Sequence, residues 1–525
     1  MRRFVLALCG LARTQFLAAQ SRTDRSFHPD DPDHMDRSWA VIRLPSIMRL
    51  GVDLGTTRTI VAVADRGNYP IVIFENAEGD FQEWYPSLVA ICGGERRYGF
   101  DAVALTEDPD WTIRRSFKRL LASASPNGSI FGVPIFTLVG EFLTSLRNAL
   151  ETRSNVRMEA PLEVAIGVPA NSNSNQRFIT MEGFRLAGFR VAGVYDEPSA
   201  AGIEYAHRYR GKDLTRKREN LLVYDLGGGT FDCSVIRLTG DDHSVITSSG
   251  IGKLGGDDFD AVLLEMAEAA SLPDQDRLLE ICRLAKERLN PNSRRILLDL
   301  GEYEAAIPVD DFYARCAAPI DRTIDVVDSV ITKVGGVETL SCIYIVGGGS
   351  EFPPVARVLR TRFGRRVRKS SYAHAATAIG LAITADMRSE MRIERTFTRN
   401  FGVWREAESG TTAFFDTLFP KGCRMPAHSV RRYHPTHNIG HFRYLECDEI
   451  DESDRPAGDI APWDDILFPF EPQLCESAAT TTIRISNPAA SPLVEEVYAC
   501  DENGIVKVTI RNLTADYDCV YALRR

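Results

Sequence analysis

Apolar, β-branched positions gather in two stretches of the chain that share one layout. Residues 50–64 (LGVDLGTTRTIVAVA) are two apolar runs hinged at Gly55-Thr56-Thr57. Residues 220–238 (NLLVYDLGGGTFDCSVIRL) repeat the device: run, Asp, glycine turn, Thr, run. Short runs of this kind around a turn predict β-hairpins. A third run, Cys342 to Val346, ends in Gly347-Gly348-Gly349. Elsewhere the apolar spacing lengthens to that of amphipathic helices, over 141–152, 175–187, 198–209, 258–270, 276–289, 319–334 and 353–363. Strands alternating with helices predict an α/β architecture, and the repeated hairpin predicts a duplicated core.

The texture changes after about residue 388. Short alternating segments, prolines and aromatics replace the helical period, with strand-like runs at 480–486, 493–500 and 504–511. That predicts an all-β region over 399–525. The linker, 388–398 (RSEMRIERTFT), carries Arg388, Glu390, Arg392, Glu394 and Arg395, and is expected to stay solvated, because burying unpartnered charge costs several kcal/mol. At the other end, Arg2-Arg3 and a brief apolar run interrupted by Arg13 precede a polar stretch at 21–40. Residues 1–47 read first as an over-extended start ahead of Met48, then as a disordered extension, and last as an export signal. The α/β region is the span 48–387.

Composition narrows the classes. The chain has 525 residues, of which 44% are hydrophobic and 26% charged, with a net charge of -10. Its length suits several domains, and its charge argues against a nucleic-acid scaffold. No segment is long enough to cross a membrane. Eleven cysteines without any C-x-x-C pair imply reduced thiols and a cytoplasmic protein rather than a disulfide framework or metal cluster. His428, His434, His437 and His441 lack zinc-site spacing and read as strand and turn residues.

The candidate chemistry lies in the two turns. A phosphate cradle needs exposed backbone N–H groups, a nearby hydroxyl and little side-chain bulk. Gly55-Thr56-Thr57 and Gly227-Gly228-Gly229-Thr230 each supply these. Asp53 and Asp225 precede them at strand ends, where carboxylates hold a hydrated Mg2+ against phosphate. One such turn is commonly just a turn. Two matching copies, each with its aspartate, are far more specific.

These residues resemble the seventy-kilodalton heat-shock chaperone family, and the resemblance runs in order over about 49–385. It is carried by GVDLGTT (51–57), NAEGD (76–80), SFKRLL (116–121), AIGVPAN (165–171), QRF (176–178), LAGFRV (186–191), DEPSAA (196–201), YDLGGGTFD (224–232), LGGDDFD (254–260), VGG (346–348) and AIG (378–380). It implies a duplicated ribonuclease-H-like (actin-like), two-lobed ATPase followed by a β-sandwich that binds unfolded polypeptide. ATP and Mg2+ are the implied cofactors, with Asp53 and Asp225 holding the metal through water. Lys118 matches the lysine that reaches the terminal phosphate and positions the attacking water. Glu197 and Asp232 match carboxylates of the catalytic centre, Thr230 acts on the terminal phosphate, and Gly255 and Gly256 match backbone on the phosphate side. Lys286 and Gly347 to Gly349 match the adenosine side.

The departures are specific. Arg283, Glu287 and Asn290 replace the family's glutamate, arginine and serine around adenine, Ser350 and Glu351 replace a threonine and the stacking arginine, and His374 replaces an aspartate. These substitutions leave phosphate binding intact and weaken adenine selectivity. The shorter 260–290 stretch is a poor fit for a nucleotide-exchange factor. NFGV (400–403), FFDTLFPKGCRMPAHSVRRY (414–433) and DENGIVKV (501–508) resemble strands of the peptide-binding sandwich. Glu406 to Thr412 is polar where the family is apolar, and the helical lid expected after the sandwich has no counterpart before Arg525. Three readings remain open: a chaperone working with co-chaperones, a nucleotide-switched scaffold with one dedicated protein partner, and a small-molecule kinase.

Overall fold

The computed structural model describes residues 47–522, apart from 122, 126, 157–160, 210–219, 291, 302, 408–411, 464, 472–473, 475–484 and 489–490. The expectations for 1–47, the run at 480–486 and the loop at 406–412 thus fall largely outside the described residues.

The first predicted hairpin forms. β1 (Met48–Leu54) and β2 (Arg58–Val63) run antiparallel, with Asp53 opposite Ile60. β3 (Tyr85–Pro86) pairs antiparallel with β2, while β4 (Leu162–Val168) and β5 (Arg190–Asp196) extend the other edge in parallel, giving the order β5-β4-β1-β2-β3. Parallel neighbours require a crossover. α1 (Phe117–Leu121) and α2 (Ile135–Thr152) precede β4, and α3 (Ser174–Leu186) links β4 to β5. The α3 start is set by Asn173, whose side chain accepts from the Gln176 amide at 3.0 Å. α4 (Glu197–Tyr209) then leads away from the sheet.

The second sheet repeats this plan. β6 (Asn220–Leu226) and β7 (Phe231–Thr239) form the second hairpin, with Asp225 opposite Asp232. β8 (Asp242–Ile251) adds antiparallel to β7, and β9 (Leu340–Val346) and β10 (Val367–Lys369) add in parallel beyond β6. The two sheets thus share a five-stranded plan, a hairpin with one antiparallel strand on one side and two parallel strands on the other, and the second sheet carries a sixth strand beyond β8. α5 (Gly256–Met266), α6 (Gln275–Glu287), α7 (Ala317–Lys333) and α8 (Pro353–Phe363) accompany it.

Three short helices, Phe100–Val103, Phe117–Leu121 and Val309–Arg315, and one longer buried helix escape the sequence pattern. α9 (Ala376–Ala385; ATAIGLAITA) is apolar all round and almost wholly buried, so it has no amphipathic stripe to read. It packs between β1 and α4, with close backbone approaches at Gly51 of β1 and at its own Gly380. A Cβ on Gly380 would stand 1.8 Å from the Ala200 carbonyl oxygen of α4. Ala378, Leu381 and Ala382 here share one buried cluster with Ala62, Ala165 and Ile203.

The charged linker departs from expectation: it is docked. Arg392–Ile393 form β11, which pairs in parallel with β8 so that His243 faces Ile393. Met391 and Ile393 are buried in the same cluster as Tyr195 and Ile203, whereas Arg392 between them is exposed. Alternation explains it: period two sends the apolar residues inward and the charges outward. Two of the remaining charges, Arg395 and Glu394, find partners. The Arg395 guanidinium lies 4.6 Å from the Tyr195 ring centre and donates to its hydroxyl at 2.7 Å, and Glu394 pairs with Arg424.

Beyond the linker, β12 (Asn400–Ala407), β13 (Thr412–Phe419), β15 (Ile439–Ile450) and β16 (Pro456–Pro462) make one sheet in the order β13-β12-β15-β16, with β17 (Ile466–Pro469) also on β15. β14 (Ala427–Tyr433), β18 (Val494–Cys500), β19 (Val506–Asn512) and β20 (Tyr517–Ala522) make a second, in that order. Phe401, Tyr444, Trp463, Tyr498 and Val508 fill one core drawn from both. Trp404 packs at the rim against Phe415. An ionic network also joins the sheets: Arg405 of β12 donates to both oxygens of the buried Glu496 on β18, at 3.1 and 2.7 Å, and to Asp416 on β13 at 2.7 Å. Three of the histidines have ordinary partners: His434 the Pro492 carbonyl at 3.0 Å, His437 Glu406 at 3.1 Å and His441 Asp465 at 2.7 Å.

Candidate active site

Both hairpin turns open into one cleft of about 500 Å3 between the sheets. The first turn is fixed by Ser87, whose hydroxyl donates to the Gly55 carbonyl at 2.9 Å and whose amide donates to Thr57 O at 3.1 Å. The second is closed by the Gly227 amide on Thr230 O at 2.9 Å. Amides of the α5 start bind this turn, Gly256 N to Gly227 O at 3.0 Å and Asp257 N to Gly228 O at 2.7 Å. Gly347 has φ +84°, and a Cβ there would meet the Asp225 carboxylate at 2.4 Å, so only glycine lets the end of β9 approach this aspartate.

Asp53, Gly55, Thr56, Thr57, Lys118, Glu197 and Asp225 line the cleft together with Gly227, Gly228, Thr230, Gly256, Lys286 and Gly347 to Gly349. Three candidates stand behind this wall: Gly229 against Thr56, Gly255 against the Gly228 backbone, and Asp232 opposite Asp225 in the hairpin. Lys286 faces the cleft but is engaged, 2.6 Å from the buried Asp260 carboxylate and donating to Gly256 O at 2.7 Å.

The electrostatics concentrate on one point. Lys118 donates to Glu197 at 2.7 Å, both side chains being nearly inaccessible. Burial alone would lower the Lys118 ammonium, but the charges of Glu197 and Asp53 more than offset it and hold it above its ordinary value. Burial, then the Glu197 charge, raises Asp53 to about 7, and the same causes raise Asp232 to about 7. Asp225 lies well above the usual carboxylate range, through burial and then Glu197, Asp53 and Asp232. Four carboxylates crowding one lysine leave surplus negative charge, which a divalent cation would relieve. All-oxygen donors suit Mg2+. Among the described residues no three His, Cys, Asp or Glu converge closely enough to clasp a metal directly, so water and substrate oxygens would complete its shell.

The outer end of the cleft holds residues that sequence reasoning missed. Arg58 of β2 and Trp84 line it from the first sheet, opposite Glu287 of α6 and Glu351. The Arg58 guanidinium sits 4.0 Å from the Trp84 ring centre and is ion-paired with Glu287. Arg283 donates to Glu287 at 2.9 Å and also binds Glu280. His374 bonds Glu83 at 2.8 Å. Deeper, Arg115 is buried against Asp257 at 2.8 Å and Asp260 at 3.2 Å, tying the first lobe to α5. The arginine at 58 follows the Gly-Thr-Thr turn directly, and that adjacency was the available signal.

Residues 137–397 match the model of the Hsp70 protein family. A chaperone protein HscA homolog from Laribacter hongkongensis is 31% identical over 370 residues, covering 65% of this chain and 58% of that protein. Chaperone protein HscA from Serratia proteamaculans is 32% identical over 367 residues, 64% of this chain and 58% of its own length. The HscA homolog from Bordetella petrii is 30% identical over 375 residues, with coverages of 66% and 59%. The chain thus spans less than two thirds of the length of these relatives. With the family model and these relatives in agreement, residues 137–397 of the chain belong to the Hsp70 family.

Proposed function

We propose that this chain is an ATP-dependent chaperone whose two lobes, of actin-like, duplicated ribonuclease-H-like design, bind and hydrolyse ATP. The observation that supports this most is the convergence of Lys118, Glu197, Asp53, Asp225 and Asp232 between two glycine turns. The turn amides and the hydroxyls of Thr56, Thr57 and Thr230 hold phosphate oxygens, since they are donors without bulk. Asp53 and Asp225 would hold Mg2+ through water, and that ion would offset phosphate and carboxylate charge. Lys118, oriented by Glu197, steadies the terminal phosphate, and Glu197 would accept a proton from an attacking water, with Asp232 behind the wall adding to the negative charge of the centre. Such a site lowers the barrier by positioning and electrostatics rather than by covalent chemistry. The β region is assigned to an extended polypeptide, with co-chaperones as further partners.

One observation favours the second reading, a switched scaffold with a dedicated partner. The Arg405–Glu496–Asp416 network places charge inside the β region, where a general client site would be apolar. Calorimetry with ATP, with and without Mg2+, tests the nucleotide reading, and absence of Mg2+-dependent binding would end it. ATPase turnover with and without unfolded polypeptide then separates chaperone from scaffold: stimulation supports the first, indifference the second.

A further inference from the structure

The base end of the cleft is furnished unevenly. On the second-lobe side stand the carboxylates of Glu287 and Glu351, and the aromatic ring there, Phe352, is packed into the core against Phe259 and Phe312. Arg283, on the same helix as Glu287, is committed to Glu280 and Glu287. The first lobe, by contrast, presents a planar guanidinium laid on an indole, Arg58 over Trp84 at 4.0 Å. The ion pair with Glu287 engages the guanidinium through one terminal nitrogen, the indole covers one of its faces, and the residue lines the cleft. A delocalised cation backed by an aromatic ring is a platform for a nucleobase, through stacking and cation–π attraction.

We propose that the base of the bound nucleotide stacks on the Arg58–Trp84 pair of the first lobe, which makes these two residues the specificity-determining contacts at that end. This rests on the nucleotide reading above and names which side of the cleft recognises the base. Stacking is tolerant of base identity because every base has a π face. The platform therefore accepts purine nucleotides broadly. Its anchor, Glu287, belongs to the opposite lobe, so stacking is strongest when the cleft is closed.

The test is equilibrium binding of Mg2+–ATP, Mg2+–GTP and Mg2+–tripolyphosphate to the full chain and to Trp84→Ala, Trp84→Phe and Arg58→Ala, with indole emission recorded. ATP and GTP are expected to bind within about tenfold of each other. Trp84→Ala should weaken both by at least about tenfold, the range of a lost base stack, while tripolyphosphate changes by less than about threefold. Trp84→Phe should recover most of the loss, which a merely structural role for the indole would not require. Emission should respond to ATP and not to tripolyphosphate, and that difference should vanish in Trp84→Phe. Equal weakening of ATP and tripolyphosphate, or an indole silent to ATP, overturns the platform while leaving the phosphate site standing. Failure of the wild-type chain to bind either ligand overturns the nucleotide reading itself.

Discussion

Lys118 and its carboxylate neighbours show how one side chain sets the chemistry of a cleft. Its ammonium is held 2.7 Å from Glu197, on the wall of the cleft and too buried to serve solvent. Lys118→Ala is expected to cut single-turnover hydrolysis by about 10²–10³-fold, the cost of one lost electrostatic donor, with a much smaller change in ATP affinity by calorimetry. The carboxylates carry a pH signature. Asp232 titrates near 7 when folded, against about 3.9 in an unfolded chain, so folding takes up a proton between those values. The stabilisation is complete below about pH 4 and is lost as pH rises through about 7. Without nucleotide, the melting temperature of the wild type relative to Asp232→Asn should therefore fall by on the order of a few degrees between about pH 5 and pH 8. Parallel melting curves would contradict it. Asp53, Asp225 and the glycines were legible in the sequence because each motif is local and occurs twice. Arg58 and Arg115 were not, since their meaning depends on Glu287 and Asp257, 229 and 142 residues away.

At the level of elements, the hairpins and amphipathic helices could be read from period alone, and two departures have physical causes. α9 is buried on every side, and a helix without a polar face leaves no stripe in the sequence. β11 was hidden by its charges, which count as solvated only if alternation is ignored. Its two ladder amides, Arg392 N on Asp241 O at 2.8 Å and Glu394 N on His243 O at 2.9 Å, are hydrogen-bonded to the neighbouring strand. Replacing Ile393 by Asp would bury a carboxylate in an apolar cluster at a cost of several kcal/mol. The expected result is undocking, seen as loss of hydrogen-exchange protection at those two amides while the amides of β6 and β9 keep theirs. Retained protection would show that the strand is held by something other than its apolar side. The β-region core was read as strands, yet its ionic network was not, because Arg405 and Glu496 sit on different sheets and meet only in three dimensions.

Across the whole molecule the β region meets the first lobe through charged groups. Glu446 of β15 accepts from the Ser174 amide at the α3 start at 3.1 Å, while within the β region Arg399 reaches Asp448 at 3.1 Å and Asp459 at 3.0 Å. One turn into α3, Arg177 pairs with Asp196, the residue before Glu197. A contact at the helix start thus lies one ion pair from the cleft. If nucleotide state alters this contact, peptide must alter nucleotide affinity by the same factor. Peptide affinity is expected to differ by tenfold or more between ATP and ADP, about 1.4 kcal/mol, and Glu446→Ala should reduce that ratio without changing tripolyphosphate affinity. An unchanged ratio would place the coupling elsewhere. The seam at Gly380 has a consequence of another kind, for how the chain can vary. Its missing methyl is what lets α9 lie on Ala200 of α4, and a Cβ there would land at 1.8 Å on backbone that has nowhere to go. In a saturation library, neighbouring apolar positions such as Ile379 and Ile383 would tolerate exchanges of shape, whereas position 380 would return glycine alone. Sequence drift at this seam is therefore bounded by the clearance between two helix backbones, which at position 380 is less than one methyl group.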